Sequence, residues 1–273
     1  MKDELFDVTG KVVVVTGAGG VLMGELAVGL ARRGGRVVAV GRTRSKLGAT
    51  VARVMAAGGE AMAVEADVCE RAALERARDE VGARLGRVDV LINGAGGNLR
   101  EATAGADRAF FDLPAEALRA VMDVNVMGSV LPSQVFGGMM AERGEGVIVN
   151  VSSMASFQPL TRVVGYSAAK AALNNFTQWL AVHLATTCSP RIRVNAVAPG
   201  FFLTEQNRFL LSRAEDGGWT ERGRQILDHT PMGRLGEPDD LVGTVVWLVS
   251  GASGFVTGVV VPVDGGFSAF SGV

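Results

Sequence analysis

Tyrosine occurs once in these 273 residues, histidine twice and cysteine twice, and aromatics make up only 6% of the chain. With 48% hydrophobic residues, an aliphatic core of Val, Ala and Leu has to carry the fold. Cys69 and Cys188 match no metal-ligand spacing and read as small packing residues, reduced in a cytoplasmic protein. Neither His183 nor His229 has a partner at ligand spacing, so no metal site is expected. The net charge is −1 with no basic stripe, which argues against a nucleic-acid partner. No apolar run reaches about 18 residues, which excludes a membrane-spanning helix. The charged opening Met1-Lys2-Asp3-Glu4-Leu5 lacks the apolar stretch of a signal peptide, and a cytoplasmic location is expected.

What the chain has in quantity is glycine (37 residues) and short valine-rich runs. The runs at 11–15, 36–40, 60–64, 88–92, 146–151, 192–197 and 258–263 predict strands, several of them apolar at nearly every position. That pattern belongs to strands covered on both faces of a parallel sheet. Helical patterns at 24–33, 70–84, 115–126, 167–185 and 238–249 alternate with them. The expectation is an α/β fold: one doubly wound, parallel seven-stranded sheet with helices on both faces, a single domain over 1–273. Two long loops, 96–114 and 201–234, leave from the carboxyl ends of strands, where open α/β sheets bind ligands.

Between the first strand and the first helix lies Val15-Thr16-Gly17-Ala18-Gly19-Gly20-Val21-Leu22-Met23-Gly24. Gly17, Gly19, Gly20 and Gly24 in this context suit a pyrophosphate cradle at a helix N-terminus. The spacing fits neither G-x-G-x-x-G nor T-G-x-x-x-G-x-G; one residue too many predicts a bulge between Gly20 and Gly24. No carboxylate follows the second strand to hold a ribose 2′-hydroxyl. Instead Arg42 and Arg44 could hold a 2′-phosphate, which favours NADP, or form a solvated basic turn. Asp67-Val68 would meet an adenine, and Asn93-Gly94-Ala95-Gly96 puts small residues at the fourth strand's end.

The lone Tyr166 and Lys170 stand four apart on a helical pattern, hence on one face. A neighbouring ammonium is expected to lower the phenol's pKa and fit it for proton exchange with an alcohol or ketone oxygen. Ser153, at the end of the fifth strand, would hold the substrate oxygen. Asn125, inside an apolar helical pattern, either bonds backbone or orders a water that links Lys170 to solvent.

Taken in order, these motifs resemble the short-chain dehydrogenase/reductase family essentially from end to end. The carriers are Thr16-Gly17 with its glycine loop, Asp67, Asn93-Gly94-Ala95-Gly96 in place of N-N-A-G, Asn125 and Ser153. They continue with Tyr166-Ser167-Ala168-Ala169-Lys170, Pro199-Gly200 with Thr204, and Asp264-Gly265-Gly266. The resemblance implies a Rossmann fold, an NAD(P)H cofactor and an Asn125–Ser153–Tyr166–Lys170 tetrad. Tyr166 would be the acid/base, Ser153 the carbonyl positioner, Lys170 the ribose ligand, Asn125 the water holder, and Thr204 the carboxamide ligand. It also implies a homotetramer, or a dimer.

Stretches such as Ile92-Asn93-Gly94-Ala95-Gly96-Gly97-Asn98 and Ala198-Pro199-Gly200-Phe201-Phe202-Leu203-Thr204 are similar to a D-mannonate oxidoreductase subgroup. That narrower resemblance implies the D-fructuronate/D-mannonate pair and leans toward NAD. A sugar acid needs a cation and several hydrogen-bonding groups. The loops offer Asn98, Gln158, Arg162 and Arg208, with Arg162 or Arg208 as the carboxylate clamp. Gluconate-type acids, 3-oxoacyl thioesters, or a catalytically silent cofactor-binding regulator are the alternatives.

Overall fold

The computed structural model describes residues 4–105, 107–203, 211–213 and 218–272. Seven parallel strands form one sheet: β1 (Val12–Thr16), β2 (Arg36–Gly41), β3 (Glu60–Glu65), β4 (Val90–Asn93), β5 (Gly146–Val151), β6 (Ile192–Pro199) and β7 (Val260–Val263). Their order is β3-β2-β1-β4-β5-β6-β7, so the topology reverses between β1 and β4 and opens a crevice there. The valine runs are continuous because alternate residues are buried in opposite layers. Val13 and Val15 pack toward α1 (Val21–Ala31) and α8 (Pro238–Val249). Val12 and Val14 pack toward α3 (Arg71–Leu85), α5 (Gly128–Arg143) and α6 (Val164–Thr187).

Four local differences from the sequence reading bear on the site. Helix α1 starts at Val21 with Gly20 as its N-cap, and the Gly24 N–H donates to the Gly20 carbonyl at 2.8 Å. The expected bulge between Gly20 and Gly24 is therefore absent; regular helix takes up the residues that the spacing seemed to leave over. The basic stretch after β2 does not stay a turn, because Arg44 begins helix α2 (Arg44–Ala56), which buries Leu47, Thr50 and Val54. The pattern at 115–126 splits into α4 (Ala115–Met122) and a π-helical turn, Asp123–Met127. Within the span expected as the second long loop lies one further short helix, α7 (Glu221–Asp228), started by the Thr220 hydroxyl accepting from the Gly223 N–H. Among the described residues, no helix is long and apolar enough to cross a membrane.

Candidate active site

Two adjoining cavities run along the carboxyl ends of the strands and share Gly17, Ala95 and Gly96. The first, about 340 Å³, is lined by Gly17, Gly20 to Met23, Gly94 to Gly97, Ser153, Tyr166, Lys170 and Pro199 to Phe202 among others. The second, about 410 Å³, is lined by Gly41, Arg42, Asp67, Val68, Cys69 and the π-helical turn. The cleft's floor admits no side chains. A Cβ on Gly17 (φ +70°) would lie 2.8 Å from the Gly94 carbonyl oxygen, and one on Gly96 would lie 2.6 Å from Asn125 Oδ1. The first-turn N–H groups of α1 lack intrahelical acceptors and border the same space, so the residues present suit a pyrophosphate-bearing dinucleotide.

The glycines divide by role. Gly17 and Gly20 line the cleft, whereas Gly19 lets helix α2 approach and Gly24 faces that helix. A Cβ on Gly19 would lie 2.9 Å from Lys46 Cβ, and one on Gly24 would lie 3.4 Å from Thr50 Oγ1. Asn93 also turns away from the cleft, donating to Ser133 Oγ and Asn150 Oδ1 at 2.9 Å each. Its Oδ1 is the one buried side-chain polar atom without a partner among the described residues. Arg42 stands 3.7 Å from Asp67, whose other oxygen accepts from the Cys69 N–H.

The four expected catalytic residues converge. Asn125 is wholly buried in the π-helical turn, a distortion that recurs at functional sites. Its amide donates to the Gly97 and Val121 carbonyls at 2.7 and 2.8 Å and accepts from the Gly97 N–H at 3.1 Å. Backbone bonding, one of the two readings of Asn125, is present. Lys170, 4% exposed, donates to the Val151 carbonyl at 2.7 Å and lies 5.5 Å from the centre of the Tyr166 ring. Ser153 caps a 3-10 turn, accepting from the Ala155 N–H at 3.1 Å. Its turn is tied to α6 through Ser156 and through Ser152, which meets Asn174 Oδ1 at 2.5 Å.

The electrostatics correct one expectation. Tyr166 was expected to have its pKa lowered by Lys170. Instead, burial of the phenolic oxygen raises it above the ordinary 10.0, and a hydrogen bond with Ser153 pulls down without cancelling that. Tyr166 as a whole is half-buried, and the desolvation acts on its phenolic group. Lys170 is itself desolvated, which lowers its pKa to about 8. Burial penalises both charged forms.

Of the expected substrate residues, Asn98 donates to Leu99 and Thr103 within its own loop, and Gln158 donates to the Ser268 carbonyl of the C-terminal tail. Arg162 is exposed on the turn entering α6, and its carbonyl accepts from the Ala104 N–H. Thr204 and Arg208 lie outside the described residues. Sequence reasoning missed Arg222 on α7, whose pKa is lowered by burial and by the positive charge of Arg162. Its only signal was a place within the second loop. His183 stacks on Trp179 at 4.8 Å and His229 packs edge-on to Phe267; no metal-binding cluster occurs among the described residues.

The family profile described as short chain dehydrogenase matches residues 11–214. The chain belongs to that family and is a nicotinamide-dependent oxidoreductase. An uncharacterized oxidoreductase of Bacillus subtilis is 48% identical, the match covering 98% of both chains. A proposed D-mannonate oxidoreductase from Haemophilus influenza, solved with bound NAD, is 41% identical with a TM-score of 0.91 over 98% of each chain. A gluconate 5-dehydrogenase from Burkholderia cenocepacia, solved with NADP and tartrate, is 32% identical with a TM-score of 0.86, again over 98% of each chain.

Proposed function

We propose that this protein interconverts a keto sugar acid and its secondary alcohol, with D-fructuronate and D-mannonate as the leading pair. The observation that carries the reading is a phenol kept protonated by burial, beside a serine hydroxyl, where a dinucleotide cleft opens. A bound nicotinamide would give or take the hydride. Gly17, Gly20 and the α1 N-terminus would hold the pyrophosphate, with Asp67 and Val68 beside the adenine. Lys170 would hold the ribose and Thr204 the carboxamide. Ser153 would fix the ketone oxygen, and Tyr166 would give it a proton in reduction and take it back in oxidation. Asn125 would hold the 96–97 segment that walls off Lys170, and a relay water beside it.

The acid moiety has support of its own. Arg162 and Arg222 face each other's charge with no acid paired to either among the described residues, and a bound carboxylate would relieve that repulsion. Both solved relatives bear sugar-acid names. We read the preferred dinucleotide as NAD, since Arg42 is turned to Asp67 and the more similar solved relative holds NAD. A gluconate-type acid is the second reading, favoured by the relative with NADP and tartrate. Steady-state turnover of D-fructuronate and 5-keto-gluconate, each with NADH and NADPH, tests both points. Turnover of D-fructuronate with NADH should dominate; turnover of neither acid would defeat the proposal.

A further inference from the structure

Gly94 lacks a side chain where the family's pattern has a second asparagine, and Met23 stands in the first turn of the cradle helix. In the structure these two residues meet. A Cβ on Gly94 would overlap the Met23 sulfur, lie 2.5 Å from Met23 Cγ and 2.9 Å from the Thr16 carbonyl oxygen. Met23 is 4% exposed, so its thioether occupies that slot. Gly94 is also fastened through its backbone: its N–H and that of Ala95 donate to Thr16 Oγ1 at 3.0 and 3.2 Å. Both Met23 and Gly94 line the first cavity, from the α1 wall and the β4 wall respectively.

We propose that Met23 is a positioning residue for the cofactor, an apolar wedge that sets the distance between the cradle helix and the 94–97 segment. The inference rests on the dinucleotide reading of this cleft. An unbranched thioether fills an irregular gap without a fixed shape, which suits a wedge between two backbone walls. Close-packed walls transmit even a methyl-sized change. A Met23 that only filled core volume would alter stability and leave dinucleotide affinity alone. As a wedge it sets the span that the pyrophosphate must bridge, so affinity changes with it.

Dinucleotide Kd, read by quenching of protein fluorescence with NADH and NADPH, tests this on Met23→Ala, Gly94→Ala and the double variant. Cofactor-free melting temperatures are measured alongside. Met23→Ala should weaken binding about tenfold, and the pH dependence of kcat should keep its position because Tyr166 and Ser153 are untouched. Gly94→Ala should weaken binding as well. The double variant should bind better than Gly94→Ala alone, because the added methyl no longer meets the sulfur. An unchanged Kd in Met23→Ala, whatever its melting temperature, overturns the proposal, as do strictly additive effects in the double variant. If the wild type binds neither dinucleotide, the cleft reading itself fails; wild-type binding with an indifferent Met23→Ala defeats the wedge alone.

Discussion

At the scale of residues, the site places two ionisable groups in one low-dielectric pocket and shifts both toward neutrality. In the proposed mechanism reduction needs a protonated Tyr166, so the reductive rate should hold through neutral pH and fall as pH climbs. Oxidation needs the phenolate and should rise over the same range. A pH–rate series in both directions checks this, and matching slopes would refute it. Lys170 also affects stability. Unfolded, it keeps its proton up to about 10.5; folded, it releases it near 8. Between those values the unfolded chain binds more protons, so stability rises with pH, and below about 8 the full cost applies, about 3 kcal/mol. Lys170→Met should flatten that rise between about pH 8 and 10, measured by denaturant unfolding across pH. Arg162→Ala should raise KM for a uronate far more than for an uncharged ketose; equal effects would remove it from the carboxylate subsite.

Elements carry the next level of constraint. Tyr166, Lys170 and Asn174 share one face of α6, so one rigid helix presents the phenol, holds the Val151 carbonyl and steadies the Ser152–Ser153 turn. Helix α1 needs Gly29 for a different reason: a Cβ there would lie 2.7 Å from a Val242 methyl on α8. Gly29→Ala should cost about 1–3 kcal/mol through overpacking, despite alanine's better helix propensity, and chemical denaturation would measure it. The strands and Tyr–Lys helix were legible in sequence because period and burial agree: Val12 to Val15 face alternate layers, both closed. Helices α2 and α5 were not singled out, since a basic start hid one and Gly137, Gly138 and Pro132 hid the other. The absent bulge has a similar cause: glycine spacing alone does not tell a loop residue from the first turn of a helix.

For the whole molecule, the strand order reverses at β1/β4, and the cleft at the strands' carboxyl ends gathers Ser153, Tyr166 and Lys170, the residues that motif order along the chain put forward. Long-range electrostatics were not legible. Nothing local tells that burial raises the Tyr166 pKa, or that Arg222 comes within the field of Arg162. Assembly as a homotetramer is a proposal at this scale. Trp179 and Val182 on α6 are 58% and 65% exposed, and light scattering should give four chains; a monomer would count against it. The central claim is that the Tyr166 phenol exchanges the proton that accompanies hydride transfer to a keto sugar acid. Its most direct test follows NADH oxidation by D-fructuronate at the nicotinamide absorbance band, for wild type and Tyr166→Phe, with NADH affinity measured on both. The account predicts turnover by the wild type, and a loss of about 10²- to 10⁴-fold in Tyr166→Phe with NADH binding retained. Equal turnover by the two proteins, or none by the wild type, would contradict it.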